Sequence, residues 1–228
     1  MAVDFKGAHY PGGVILYAVY FYVRFAVSYR DLEEIMAERG VQVDHATLNR
    51  WVVKYAPLIA KELQARKRRT SVSWRMDETY IKVKGCWMYL YRAVDNRGET
   101  VDFMLSNHRR RSAAYNFFRN AITKNGVPKR VVIDKSGSNM AGLQNVNAKL
   151  KFTGDGSIIK IIQSKYLNNL VEQDHRFIKK ITRPMMGFKA FHSAQSTLAG
   201  IEVAHMIRKS QITSNHKTGF QIFAALAA

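Results

Sequence analysis

The sequence predicts an α/β protein, a mixed sheet in the order βββαβαβα flanked by helices and preceded by an all-α segment. Three observations predict it. Up to about residue 60 the apolar residues recur at helical spacing; from Val72 they alternate instead, in three β-rich runs at hairpin spacing. Beyond Ser112, short apolar runs alternate with amphipathic stretches, which is the pattern of parallel strands joined by helices. The expected division is a helical domain over 1–60, a basic linker over 61–71, the sheet-bearing core over 72–212 and a C-terminal tail over 213–228.

The first helix is the apolar run Val14 to Val23, closed by Arg24. Ten residues are too few to span a bilayer. The run follows Tyr10-Pro11-Gly12-Gly13 with no basic stretch before it and no small-residue cleavage site after it, so neither a signal peptide nor a membrane partner is expected and the protein reads as cytoplasmic. Ser28 followed by Asp31 is a capping-box variant opening a helix to about Arg39, with Leu32, Ile35 and Met36 inward; Gly40 ends it. Asp44 caps a second helix whose inner stripe is Leu48, Trp51, Val52 and Tyr55. Two helices across a glycine-containing turn read as a helix-turn-helix, with His45, Thr47, Asn49 and Arg50 toward the major groove of DNA. An ordinary helical hairpin with a solvated face has the same pattern. Pro57 falls inside or near the end of the second helix, and Lys61 to Arg69, with five bases and one acid, suits a linker that touches phosphate or a solvated charge run.

The strands are expected at 74–85, 87–95 and 101–106, with turns at Gly85 and Asn96-Arg97-Gly98. A helix from Ser112 to about Lys124, a short apolar strand over 129–134, a helix from about Asn139 to Leu150, a strand over 158–162, a helix over 164–180 and a last helix from about Ala190 to Gln211 complete the chain. A single cysteine, Cys86, rules out a disulfide framework and a multi-cysteine zinc site.

Charge narrows the function. Thirty-six Lys and Arg against 17 Asp and Glu leave +19, a surface that repels itself unless a polyanion neutralises it. Nucleic acid is the first expectation, although basic membrane-surface and ribosomal proteins share the balance.

The helix over 164–180 carries the informative acid. At about 100° per residue, one face holds Asn168, Asn169, Glu172, His175, Arg176, Lys179 and Lys180, and the other Tyr166, Leu167, Leu170, Val171, Phe177, Ile178 and Ile181. Asp174 falls about 200° from Glu172, inside the apolar face, and is expected to be a buried, hydrogen-bonded carboxylate. Asp77 stands within the first strand and Asp134 at the end of the apolar one, where ligand sites of α/β sheets gather. If those strands are neighbours, the two carboxylates need a cation between them, and Mg²⁺ suits such hard oxygens. With Glu172 added, two ions find ligands, as phosphodiester chemistry requires. Bland readings remain at this point: Asp77 pairing with Arg75, Asp134 capping the next turn, and Asp95, Asp102 or Glu78 as rival acids. Strand alternation turns Glu78 to the face opposite Asp77.

The strings WRMDETYIKVKG, YLYRAVD, RVVIDKS and KYLNNLVEQDHRFIKK, with SYRDLEEIMAERGVQVDHATLNRWV upstream, resemble the bacterial insertion-sequence-six family of DDE transposases over nearly the whole chain. The resemblance implies an RNase H-like catalytic core behind a helix-turn-helix. It implies Asp77, Asp134 and Glu172 as the catalytic, metal-holding triad, with two Mg²⁺ or Mn²⁺ ions, and Lys179, seven residues beyond Glu172, as a phosphate contact; Lys135 and Arg176 stand beside the acids as further DNA contacts. Thirty-seven residues separate Asp134 from Glu172, slightly more than is usual in the family, with the excess expected around Gly154-Asp155-Gly156. The implied activity is cleavage at terminal inverted repeats and 3′-hydroxyl strand transfer into double-stranded target DNA by a homodimer or higher oligomer. A nuclease that cuts without joining, or a DNA-binding regulator without catalysis, are the alternatives.

Overall fold

The computed structural model describes residues 3–152, 158–164, 168–215 and 218–228. The chain runs through α1 (Gly12–Arg24), α2 (Tyr29–Ala37), α3 (His45–Arg66), β1 (Ser73–Val83), β2 (Cys86–Asp95), β3 (Thr100–Ser106), α4 (Arg111–Asn125), β4 (Arg130–Ile133), α5 (Gly137–Phe152), β5 (Lys160–Gln163), α6 (Asn169–Thr182), α7 (Phe191–Arg208) and α8 (Gly219–Ala225). Tyr166, Leu167 and the loop around Gly154-Asp155-Gly156 lie outside the described residues. Two compact units result, one of the residues up to Arg68 together with those from Phe177 onward, the other Arg69–Arg176.

In the helical unit, the capping box at Ser28 forms as its sequence requires: the hydroxyl accepts from Asp31 N at 3.1 Å and the Asp31 carboxylate accepts from Ser28 N at 2.8 Å. Asp44 caps α3 by accepting from the amides of Ala46 and Thr47. Residues 61–66, expected as linker, are the last turns of α3, because Ile59 and Leu63 continue its buried stripe past Pro57. α7 packs on α3 and α1, where Gly200 makes the close approach possible: a Cβ there would stand 2.7 Å from Val23 Cγ1 and 2.9 Å from Ala56 Cβ. The compact sheet unit is Arg69–Arg176. The expected tail holds α8, whose Phe223 is fully buried, its ring tilted against Tyr20 at 5.3 Å between centroids. Among the described residues no helix is long and apolar enough to cross a membrane.

The sheet order is β3-β2-β1-β4-β5, with β1, β2 and β3 antiparallel and β4 and β5 parallel to β1. This is the RNase H-like arrangement. A two-residue turn at Lys84 and Gly85, both at positive φ, closes the first hairpin, with Cys86 exposed at the start of β2. One sheet face buries Trp74, Met76 and Tyr91 against Phe117, Phe118 and Leu143 of α4 and α5. α4 and α5 touch closely at Gly142, where a Cβ would meet Ala114 Cβ at 2.7 Å and Tyr115 N at 3.0 Å.

Candidate active site

Strand register brings the first two acids together. β1 and β4 run parallel with Arg75 opposite Val132, and two residues further along each chain come Asp77 and Asp134. β4 is held up to this point by buried Val131, Val132 and Ile133 and β1 by buried Trp74, Met76 and Ile81, so the acids meet because the hydrophobic pattern fixes the register. Asp134 also turns the chain into α5, accepting from Ser136 N at 3.1 Å, so its capping role and its place at the strand end coexist.

A third acid joins them. Asp77, Glu78 and Asp134 each offer a carboxylate oxygen, all within 4.8 Å of one another. Alternation does send Asp77 and Glu78 to opposite faces, since Asp77 pairs across with Arg92 and Glu78 with Tyr91. Glu78, a rival acid on that alternation, nevertheless joins the group, because Asp134 stands at a strand end. Glu78 Oε1 accepts from Arg109 Nε at 3.1 Å and Oε2 from Asn139 Nδ2 at 3.1 Å; the same guanidinium and amide reach Asp134 at 3.3 Å each. Burial pushes the Glu78 carboxyl up, against the pull of Arg109 and Asn139. Sequence reading missed Arg109, Asn139 and the part played by Glu78. Arg109 was one of three consecutive arginines in a loop, with nothing in the pattern to single it out.

α6 presents one stripe to the other face of β1. Asn168, immediately before the helix, donates to Met76 O at 3.3 Å, and His175 Nε2 lies 3.2 Å from Asp77 Oδ2. Glu172 falls between these two anchors at helical spacing, exposed in the first turn and outside the three-acid group. His175 and Asn168, on the polar face of the helix, are buried at 3% and 2% exposure. A helical wheel cannot distinguish a polar face in water from one pressed on polar strand residues. Asp174 is the buried carboxylate expected, 2.7 Å from Arg92 Nη2. Arg92 also stands 3.4 Å from His175 Nδ1. A guanidinium only donates, so this contact keeps Nδ1 as acceptor and leaves Nε2–H to face Asp77.

The other two rival acids, Asp95 and Asp102, are structural. Asp95 accepts from the amides of Ser71, Arg97 and Glu99, and Asp102 pairs with Lys124 at 3.0 Å. Lys135 and Arg176 are exposed beside Asp134 and Glu172 in sequence; Lys179 lies two turns beyond Glu172 along α6. At the start of α3, His45 Nδ1 meets Glu33 at 2.9 Å, while Arg50 donates to Thr47 Oγ1 and that hydroxyl to Asp44, both at 2.6 Å. His45, Asn49 and Arg50 line a cleft of about 740 Å³ shared with Met185, Phe188 and Lys189.

The donor set of hard carboxylate oxygens at one strand end fits a divalent ion. A family model described as a DDE domain matches residues 71–211. The transposase for the insertion sequence-like element IS431mec of Staphylococcus aureus is 40% identical over 217 residues, covering 95% of this chain and 93% of the relative. The transposase for the insertion sequence element IS257 in transposon Tn4003, also of S. aureus, matches to the same extent. Among solved structures, the catalytic core domain of BIV integrase superposes with a TM-score of 0.46 at 18% identity, covering 68% of this chain and 95% of that one. Two acids fixed by strand register and near full-length likeness to known relatives agree, and the chain belongs to the insertion-sequence-six family of DDE transposases.

Proposed function

We propose that the protein binds the terminal inverted repeats of its element, cuts there to free a 3′-hydroxyl and joins that hydroxyl to target DNA. The observation that carries this is the juxtaposition of Asp77 and Asp134 at the ends of β1 and β4, with Glu172 held between the Asn168 and His175 anchors. Asp77, Asp134 and Glu172 would hold two Mg²⁺ or Mn²⁺ ions. Such ions lower the pKa of an attacking hydroxyl and offset charge on the leaving oxygen. His175 keeps the Asp77 carboxylate oriented, and Ser136 N and Asn139 do the same for Asp134. Lys135, Arg176 and Lys179 supply phosphate contacts, and α2 with α3 serves as the helix-turn-helix, reading bases from His45, Thr47, Asn49 and Arg50.

In the first step a water oxygen bonds to phosphorus at the element's end as the bond to the 3′-oxygen breaks, and that oxygen leaves protonated. In the second, the 3′-oxygen bonds to a target phosphorus while the neighbouring target 3′-oxygen departs. One phosphodiester replaces another, so no nucleotide is consumed. Two ends require two sites, which favours a homodimer acting on DNA in the cytoplasm.

The test uses labelled inverted-repeat oligonucleotides and a target duplex. Asp77→Asn, Asp134→Asn and Glu172→Gln should each retain binding and lose cleavage and joining by roughly 10³-fold or more. Cleavage without joined product in the wild type marks a nuclease, and Asp134→Asn with full biological effect marks a regulator.

A further inference from the structure

Arg109 meets the two carboxylates on unequal terms. Its Nε is 3.1 Å from Glu78 Oε1, whose side chain is only 4% exposed and whose second oxygen is occupied by Asn139. Its Nη2 reaches Asp134 at the longer distance of 3.3 Å, and Asp134 is 33% exposed. The guanidinium thus has a buried tether and an open contact, the latter on an oxygen of a metal-holding residue. Two cations cannot share that oxygen at close range without strong repulsion. A guanidinium is also the side chain best shaped to donate two parallel bonds to a phosphate.

We propose that Arg109 is a further catalytic residue: it covers Asp134 until a divalent ion binds there, stays tethered to Glu78 when displaced, and then donates to the DNA phosphate at the site. This rests on the strand-transfer reading above. Glu78 is accordingly a positioning residue, holding Arg109 within reach of the acids while both of its own oxygens are engaged by protein donors.

The test is a calorimetric titration of the full chain with Mn²⁺ alone, beside joining of pre-cut inverted-repeat ends at saturating Mn²⁺. Arg109→Gln removes the competing charge. Arg109→Lys keeps a cation opposite buried Glu78, which protects folding, but a single ammonium cannot bridge Glu78 and Asp134 as the fork does. Both variants, checked for native circular dichroism, should bind Mn²⁺ roughly tenfold more tightly than wild type. Joining should fall roughly a hundredfold in Arg109→Gln and less in Arg109→Lys. Unchanged or weaker Mn²⁺ binding in the folded variants overturns the displacement, and unchanged joining at saturating Mn²⁺ overturns the phosphate contact. Wild-type protein that joins no ends defeats the functional reading instead, and the Mn²⁺ titration still decides whether Arg109 and the ion compete.

Discussion

His175 Nε2 lies 3.2 Å from Asp77 Oδ2, and the ring that makes this contact is 3% exposed, with Arg92 behind it. The imidazole therefore orients a carboxylate of the site from the protein side. His175→Gln keeps an N–H donor at a similar reach, whereas His175→Leu fills the space without donating. Mn²⁺ affinity, measured by titration with the metal alone, should fall by about tenfold or more in His175→Leu, in line with the loss of a group that orients a ligand. The Gln variant should recover most of it; equal affinity in all three proteins would show that the contact has no orienting role.

The α4–α5 contact gives a prediction about packing. A methyl at Gly142 would press on Ala114 Cβ at 2.7 Å and on the Tyr115 backbone at 3.0 Å, and the backbone cannot swing aside as a long side chain does. Gly142→Ala gains helix propensity of about 1 kcal/mol, yet overpacking typically costs about 1–3 kcal/mol. A net loss in the denaturant midpoint is expected. A more stable variant would mean that the two helices have room to separate.

Much of the site was legible because its two strand acids obey a rule of pattern. The apolar run before Asp134 and the alternation around Asp77 announce the strands, and the order of elements makes β1 and β4 neighbours. Glu78, Arg109 and Asn139 were not legible in the same way, since what unites them is a three-dimensional convergence at a strand end reached from both faces. The buried setting of His175 was hidden by the opposite difficulty: its helix face is polar, and only the presence of Asp77 and Arg92 on the facing strands makes that face internal. Residues 61–66 are helical although rich in bases, because Leu63 keeps the buried stripe of α3 going.

The cap of α3 gives a pH dependence. Hydrogen bonds from the Thr47 side chain and backbone hold the Asp44 carboxyl below its ordinary value of 3.8, against a smaller opposing effect of desolvation. A depressed acid contributes stability that is present above the unfolded value and is lost as pH falls through the folded one. Asp44→Ser supplies a cap that does not titrate. The stability of wild type relative to this variant should hold steady above about pH 5 and decline as pH drops below 3.8, followed by thermal unfolding at each pH. A difference that stays constant down to pH 2 would place the titration elsewhere.

Two acids two residues apart on α6 separate stability from chemistry. Asp174 is 10% exposed and sits 2.7 Å from Arg92, a guanidinium with no exposure at all, so removing the carboxylate breaks a desolvated ion pair. Breaking one side of a buried pair costs about 3–5 kcal/mol, because the remaining ion cannot recover its water. Glu172 is exposed, and substitution of an exposed side chain away from such networks usually changes stability by about 0.5 kcal/mol or less. Asp174→Asn should therefore lower the unfolding midpoint sharply, and Glu172→Gln should leave it nearly unchanged while abolishing joining. If the two variants were equally destabilised, Glu172 would belong to the scaffold, and the helix would carry no acid for the reaction.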